Sequence, residues 1–569
     1  MGSHLLLWLE RIPHHHLIIF LILFFAAWLA SELFPRPFIA VERFGVGLAG
    51  RRRLCVFLLG AAAIVLRLAL LWVVPIPTPT IHDEFGYLLA GDTFAHGRLA
   101  NPPHPMWIYF DTFHINQQPA YMSISPPAQG VALALGQLLG HPWIGILLSV
   151  SAMVAAVLWA LQGWLPPRWA LLGGILVLLR LAIFGYWINS YWGGAVAAIG
   201  GALVFGALPR IMRSHRMRDA LILGLGVSIL ANSRPFEGLI FCIPVFAALV
   251  VWLCRGHSPP WRTVTRRILV PLCAVMIMCG YFIGYYNFRL TGHALSFPHD
   301  VNIRSHLAIP QMAWQKTVAP FHFQNAQFTD YYNRWWPANA WRYGRPDSIT
   351  HIANSFESDA FKFFLFFAYP ELLIPVLAVP WILRDRRMRF PVAQMIICFA
   401  GFLLVAFFHP HYAAALTATT FVLIVQGLRH FRQWHFSRIF AGVHPSRAVV
   451  VTSILLSPLH PYSLPPLSSM EDRQRIATRL QSMPGTNLII VRYSSQHNSL
   501  GEWVYNAADI NHAKIVWARE IPGISMQPLL DYFPNRRVWL AEPDENPPKL
   551  LPYLPQSSTE PREHRVRTP

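Results

Sequence analysis

The sequence predicts a mainly α-helical protein that crosses a membrane many times and carries a small α/β domain outside the membrane near its C-terminus. Three observations predict this class: little charge, a series of long apolar runs, and a change of pattern after about residue 459. Of the 569 residues, 54% are hydrophobic and only 13% are charged. Soluble domains carry about 25% charged residues, so an ordinary soluble protein is excluded.

The apolar runs account for about 11–13 membrane spans, since some 18–21 apolar residues cross roughly 30 Å of hydrocarbon. The first run has a basic start but no clear small-residue cleavage site, so 1–53 is interpreted as an uncleaved anchor or an interfacial segment. The predicted spans are 17–34, 54–74, 142–164, 169–186, 194–209, 219–233, 237–254, 268–288, 361–383, 390–408, 413–428 and, more weakly, 439–458.

Arginines mark every second loop between these spans. The positive-inside rule places such loops in the cytoplasm, so the net charge of +19 reflects membrane topology and not nucleic-acid binding. The basic loops are 51–53, 210–219, 255–267, 384–389 and 429–438.

The alternate loops are then predicted to lie outside, together with everything after about residue 460. All six cysteines fall in or beside apolar segments, and no CxxC pair is present, so we expect neither a disulfide framework nor a cysteine metal site. The predicted outer loops are 75–141, 188–194, 232–238, 289–360 and 409–412.

The C-terminal region alternates short apolar runs with helix-like segments, which is typical of a parallel α/β unit. Strands are predicted at 487–493, 514–518 and 537–542, with helices at 501–510 and 524–533 between them. We assign 459–545 to a small α/β domain in the periplasm. The Pro-rich stretch 546–569 is interpreted as a disordered tail.

Two adjacent acids, Asp83 and Glu84, follow the second apolar run in "IHDEFGYLLAGDTFAHGRL". One interpretation is structural: Thr80 and Asp83 fit an S/T-x-x-D/E capping box that opens an amphipathic helix over 81–96, lying at the outer surface. The other is chemical. The same loop is rich in titratable groups, and a carboxylate there can accept a proton from a hydroxyl group.

Several motifs resemble the GT-C superfamily of integral-membrane glycosyltransferases. They are "HDEFGYLLAGDTFAHGRLANPPHP" (82–105), "SPPAQG" (125–130), "SYWGG" (190–194) and "HPHYAA" (409–414). The likeness is to the polyprenyl/dolichyl-phosphate-mannose protein mannosyltransferases and the lipid A aminoarabinose transferase. It covers about 54–430 of a GT-C-like membrane domain assigned to 54–458, and it does not extend to the C-terminal domain.

The resemblance implies catalytic roles for acids of the first outer loop. Asp83 is then the general base, Glu84 positions Asp83 or the acceptor, and Asp111 is the candidate for a second acid, with Asp92 behind it. The other predicted substrate-binding residues are His82, Tyr87, Tyr191 and Trp192.

A lipid-phosphate donor, also implied by the resemblance, needs cations near its phosphate. We expect that role from Arg234 and Arg289 at outer helix ends, and His409 and His411 can line the same site. Each has a plainer interpretation as an interfacial side chain. The aromatic stretch 330–343 either covers an acceptor groove or rests on lipid headgroups.

The predicted function is therefore inverting transfer of a hexosyl or pentosyl group from a polyprenyl-phosphate sugar to a glycan, lipid or protein hydroxyl, outside a bacterial inner membrane. No metal ligand set is predicted, and a divalent cation is left open as a cofactor. Alternatives are a lipid or glycan transporter or flippase, a lipid-pyrophosphate-dependent glycan ligase, and a non-catalytic scaffold. A transporter predicts charges near mid-membrane and two similar halves. Arg67 and Arg180 do lie nearer to span interiors, but no clear internal repeat is visible and the polar residues crowd the outer loops instead.

Overall fold

Helices make up most of the chain, as the long apolar runs predict. The computed structural model describes residues 14–254, 259–309, 311–339, 349–434, 442–459 and 468–554. The helices are α1 His14–Leu33, α2 Pro35–Ala49, α3 Arg52–Ala69, α4 His82–Ala95, α5 Pro127–Leu138, α6 Pro142–Trp164, α7 Pro167–Leu181, α8 Gly194–Ser214, α9 Met217–Ala231, α10 Pro235–Cys254, α11 Trp261–Thr291, α12 Pro298–His306, α13 Ala326–Asp330, α14 Ile349–Phe367, α15 Val379–Arg384, α16 Arg389–Phe402, α17 Thr417–Arg432, α18 Val443–Leu456, α19 Ser468–Ser482 and α20 Gln527–Tyr532.

Within the described residues, six helices are long and apolar enough to cross a membrane. A seventh crossing results if Ser355–Phe367 and Glu371–Arg384, which are bent by 117° at their junction, count as one broken span. Helices of 14–18 residues occupy the other predicted spans, namely α3, α7, α9, α16 and α18. The six long candidates are His16–Leu33, Pro142–Trp164, Gly194–Ser214, Pro235–Cys254, Trp261–Thr291 and Pro410–Arg432.

The broken span ends at a buried arginine. The guanidinium of Arg180 donates hydrogen bonds to the carbonyl oxygens of Phe366 and Leu365, over 2.8 and 2.6 Å. These carbonyls lie in the last turn of α14, where no further helical N–H is available to them. A side chain that the sequence places inside a span therefore stabilises an interrupted helix.

The C-terminal unit is a four-stranded sheet in the order β4-β3-β5-β6. Strands β3 (Asn487–Val491), β4 (Ile515–Arg519) and β5 (Arg537–Glu542) are parallel, with Asn487 opposite Ile515 and Arg537. Every residue of β3 is buried, as expected for a central parallel strand covered on both faces. The predicted class, a polytopic helical protein with a small C-terminal α/β unit, is confirmed.

Two details of this unit differ from the sequence prediction. Lys549–Pro552 belong to the stretch that we assigned to the tail, but they form the antiparallel edge strand β6; residues 555–569 lie outside the described residues. The stretch 501–510 is not a helix but an irregular segment lying on the first loop. The Tyr121 hydroxyl donates to the Asn506 carbonyl, and the Ala508 N–H donates to Asp92, so these backbone groups bond across the interface.

The segments predicted to lie outside meet at one end of the helical bundle. A short two-stranded ribbon, β1 (Ile115–Asn116) and β2 (Met122–Ser123), shapes the first loop beside α4. Contacts then join the predicted outer loops to one another and to the C-terminal unit. The pairs that make these connections are Glu84 with Tyr191, Arg234 with Tyr412, Gln311 with Ala406, Asp330 with Ser499, and Gln327 with Arg519.

Candidate active site

Glu84 is a structural acid that fixes the start of α4. One of its carboxylate oxygens accepts hydrogen bonds from the Thr80 N–H and the Thr80 hydroxyl, both over 3.0 Å. The other accepts the Tyr191 N–H over 2.8 Å. The side chain is fully buried. The predicted pairing of Thr80 with Asp83 is therefore wrong. Thr80 is paired with Glu84, and the Asp83 carboxylate takes no part in capping the helix.

Asp83 lies between two imidazoles. Its carboxylate is 3.2 Å from His82 Nδ1 and 4.0 Å from His114 Nε2. Although groups from several segments surround it, 35% of the Asp83 side chain is accessible. The carboxylate is therefore accessible to a substrate. We call the accessible space around it, beside His82, His114 and Tyr331, the recess. The predicted helix is present, but its first turn is largely buried against the C-terminal unit and does not lie at the surface.

The backbone of His114 supports this arrangement. His114 has a φ of 58°, in the left-handed region, which costs a non-glycine residue on the order of 1 kcal/mol and is frequent at functional sites. Gly86 allows α4 to approach it, because a Cβ on Gly86 would lie 3.3 Å from the His114 carbonyl oxygen. The chain thus accepts local strain that places an imidazole beside Asp83.

The charges in this cluster keep the Asp83 carboxylate ionised. Burial raises the pKa of Asp83, but His114 and His82 outweigh it, so the pKa lies well below its ordinary range. Burial lowers the pKa of His114 to about 4, although Asp83 opposes that shift. At neutral pH an ionised carboxylate thus lies beside the neutral imidazole of His114.

A cationic side of the recess is formed by Arg234. Its guanidinium carbon lies 4.5 Å from the centre of the Tyr412 ring. Burial lowers the pKa of Arg234, but Tyr87, Glu237, Tyr412 and Asp83 raise it by more, so the net shift is upward. Among the described residues, no carboxylate forms an ion pair with this guanidinium. It is therefore available to an anionic ligand.

The two predicted histidines lie on the same side. Their rings, those of His409 and His411, are nearly parallel with centres 5.4 Å apart. His411 Nδ1 lies 2.9 Å from the Tyr186 hydroxyl, and the Trp192 ring is centred 4.6 Å from His411. His409, His411 and Trp192 thus lie on the same side as Arg234 and Tyr87.

Four residues that the sequence predicts to act at the site make structural contacts or lie away from Asp83. Arg289 is exposed and donates to Tyr285 one turn away. Asp92 accepts from Gln137 and from the Ala508 N–H, so it fastens α4 to α5 and to the C-terminal unit.

The Tyr191 N–H donates to the Glu84 carboxylate, and the Tyr191 hydroxyl donates to the Pro77 carbonyl. Asp111 lies near Arg519 and Glu502 of the C-terminal unit, and burial raises its pKa to about 7.

Three residues at the site were not predicted as site residues. His114 appears in the sequence only as one of several titratable residues of the loop. Tyr331 was covered only by the aromatic stretch, and its ring packs edge-on against His82 with centres 5.2 Å apart. Tyr505 comes from the C-terminal unit, which carried no site signal in the sequence. Only the fold brings these three to Asp83.

His82, Asp83 and His114 can also bind a divalent cation. One ligand atom from each lies within 4.8 Å of the others, and two imidazole nitrogens with one carboxylate suit zinc or a similar transition metal. Nε2 of His82 and Nε2 of His114 are buried without a hydrogen-bond partner among the described residues. These orphaned nitrogens fit a metal, which the sequence left open.

Comparisons with known proteins add two solved structures. ArnT from Cupriavidus metallidurans bound to undecaprenyl phosphate matches with a TM-score of 0.45 and 10% identity, over 86% of this chain and 92% of that one. The Archaeoglobus fulgidus oligosaccharyltransferase in complex with Zn and sulfate matches with a TM-score of 0.46 and 12% identity, over 86% and 67%. The likeness concerns the fold. No protein-family model and no curated protein match the sequence.

Proposed function

We propose that the protein is an inverting membrane glycosyltransferase that moves a sugar from a polyprenyl-phosphate donor to an acceptor hydroxyl group. The observation that carries the proposal is the position of Asp83, an ionised carboxylate beside a neutral imidazole in an accessible recess. Arg234, without an ion-pair partner, faces the same recess. A base and an anion site side by side suit attack on a sugar phosphate.

In the proposed reaction, Asp83 takes the proton of the acceptor hydroxyl as its oxygen attacks C1 of the sugar. The new C1–O bond forms on the face opposite the phosphate, so the configuration at C1 inverts. The bond between C1 and the phosphate oxygen breaks, and its electron pair leaves with the polyprenyl phosphate. Arg234 stabilises that anion through charge-assisted hydrogen bonds.

Other residues have supporting roles in the proposal. His82 and His114 position the Asp83 carboxylate by contacting it, and His409 and His411 line the donor side with Tyr87. If a divalent ion occupies His82, Asp83 and His114, it supplies positive charge for the developing phosphate anion. Glu84, Asp92 and Tyr191 hold the frame and do not touch substrate.

We place the recess outside the cytoplasm, in the periplasm of a bacterial inner membrane. The arginine-rich loops support this orientation, and the segments opposite them meet at the recess. Reporter fusions after residue 554 test it, since alkaline phosphatase is active only outside the cytoplasm. An inactive phosphatase fusion with a fluorescent cytoplasmic counterpart contradicts the placement.

The function itself is tested with a panel of radiolabelled polyprenyl-phosphate hexoses and pentoses, membrane acceptors, and wild-type protein beside Asp83→Asn. We expect transfer by the wild type and a loss of at least about 100-fold in the variant, in line with removal of a general base. The variant must retain the wild-type melting temperature in detergent. Full activity in Asp83→Asn removes Asp83 from the chemistry. No transfer from any donor favours a pyrophosphate-linked donor or transport.

A further inference from the structure

The C-terminal unit forms one wall of the recess. The Tyr505 ring stacks on the Phe85 ring, with centres 4.2 Å apart and planes 2° from parallel. Phe85 lies two residues after Asp83 in α4. Arg473 fixes this contact, because its guanidinium donates to the Tyr505 carbonyl over 3.0 Å and lies 4.8 Å from the centre of the Phe85 ring. Tyr505 is therefore held rigidly beside the acid.

Three buried polar side chains at this wall have unused hydrogen-bonding groups. Thr112, Tyr505 and His82 are 2, 4 and 3% exposed. His82 Nδ1 lies 3.2 Å from the Asp83 carboxylate, but within the described residues neither hydroxyl has a hydrogen-bond partner, and neither does His82 Nε2. The Thr112 and Tyr505 hydroxyls lie side by side but lack the geometry of a mutual hydrogen bond.

Such unpartnered groups are rare inside proteins, and each costs about 1–3 kcal/mol. Their convergence beside Asp83 indicates a site for a ligand that both donates and accepts hydrogen bonds.

The charged groups at this wall have partners of their own, unlike Arg234 on the donor side. Arg473 donates to the Trp503 and Tyr505 carbonyls, and Glu502 and Arg519 are paired with each other. The charge of Asp83 acts on Tyr505, Tyr331 and Tyr332 and also on Tyr87, Tyr412 and His299. The charge of Arg234 acts on the second three. The first three thus form an aromatic, hydroxyl-bearing side of the recess, and Arg234 marks a cationic side.

We propose that Thr112, Tyr505 and His82 form the acceptor subsite and that it accepts a neutral, hydroxyl-rich group, a sugar ring. This inference rests on the proposed glycosyltransferase function and deepens it. Aromatic faces and hydroxyl partners are the surroundings that a sugar ring requires. A phosphorylated acceptor group would need a free cation, whereas Arg473 at this wall is engaged by the Trp503 and Tyr505 carbonyls and Arg234 lies against Tyr412.

The test compares Tyr505→Phe and Thr112→Val with wild type. Both substitutions keep the shape of the side chain and remove the hydroxyl. Tyr109→Phe is the matched control, because the Tyr109 hydroxyl donates to the Ser525 carbonyl over 2.7 Å in the same interface. Acceptor probes are octyl β-D-glucopyranoside, 1-octanol and a serine-containing peptide, each with the radiolabelled donor panel.

We expect transfer to the octyl glucoside and not to octanol or the peptide. Each of the two variants should raise the KM for the glucoside about 3–10-fold, which corresponds to one neutral hydrogen bond. The KM for the donor should stay constant, and Tyr109→Phe should match wild type in both constants.

If wild type transfers sugar but Tyr505→Phe and Thr112→Val behave like Tyr109→Phe, the subsite is wrong while the function stands. Transfer to the peptide alone also overturns it. If wild type transfers to no acceptor from any donor, the proposed function fails and the subsite falls with it.

Discussion

Asp83 and Glu84 are adjacent in sequence, but their carboxylates serve different parts of the molecule. Glu84 accepts three hydrogen bonds from Thr80 and Tyr191 and has no accessible surface. Asp83 faces His82, His114 and an accessible recess. Glu84 therefore stabilises the start of α4, and α4 positions the Asp83 carboxylate in the recess.

Glu84→Gln should destabilise the protein, whereas Asp83→Asn should not. A glutamine amide nitrogen cannot accept a hydrogen bond, so one set of donors, at Thr80 or at Tyr191, is left buried and unpaired. The expected loss is about 1–3 kcal/mol, seen as a lower melting temperature in detergent. Equal melting temperatures for Glu84→Gln and wild type would contradict the structural role.

A metal-binding experiment tests the group formed by His82, Asp83 and His114. Protein stripped with a chelator should bind one Co²⁺ or Zn²⁺ ion, measured by cobalt absorption or metal content. His114→Ala and Asp83→Asn should lose this ion. His96→Ala is the control, since His96 follows the same helix but is 57% exposed. Undiminished binding by His114→Ala would exclude the site.

Arg234→Lys should weaken donor binding, whereas Arg289→Lys should not. Lysine keeps the charge but loses the two-pronged hydrogen bonding of arginine to phosphate. A loss of about 1.5–3 kcal/mol, typical of a hydrogen bond to a charged group, corresponds to a rise of roughly 10–100-fold in donor KM. Arg289 is the control because it is exposed and bonded to Tyr285. Equal effects of the two substitutions would count against Arg234 as the phosphate ligand.

Asp111 should make stability depend on pH. Burial raises its pKa from 3.8 to about 7 in the folded protein. Between these values the unfolded chain has lost the proton and the folded protein retains it, so raising the pH favours unfolding. The melting temperature of Asp111→Asn should therefore rise relative to wild type from about pH 4 to pH 7 and level off above. A constant difference would show that Asp111 titrates normally.

The sequence predicts the helices well because apolar length and charge placement are local signals. It also predicts β3, β4 and β5, whose β-branched and aromatic runs are short and bounded by polar residues. The stretch 501–510 fails because its backbone bonds to Tyr121 and Asp92, which are distant in sequence. Tertiary contacts override helix propensity there.

The candidate site likewise combines residues that a local sequence signal predicts with residues that only tertiary packing brings together. Asp83 stands out in the sequence because an acid pair follows an apolar run, but nothing local distinguishes the two acids. Tyr191 decides the role of Glu84 from 107 residues away. The left-handed His114 and the inserted Tyr505 have no sequence signature, since each depends on the packing of another segment.

The wall made by Tyr505 and the Arg519–Gln327 contact have a consequence for biosynthesis. The last predicted membrane helix precedes residue 460, so a ribosome has made every crossing before it reaches the residues that complete the recess. A nascent or truncated chain ending before residue 505 can insert in full and still present Asp83 without its wall. The recess is therefore complete only after the segment that carries Tyr505 has been made and has packed against α4.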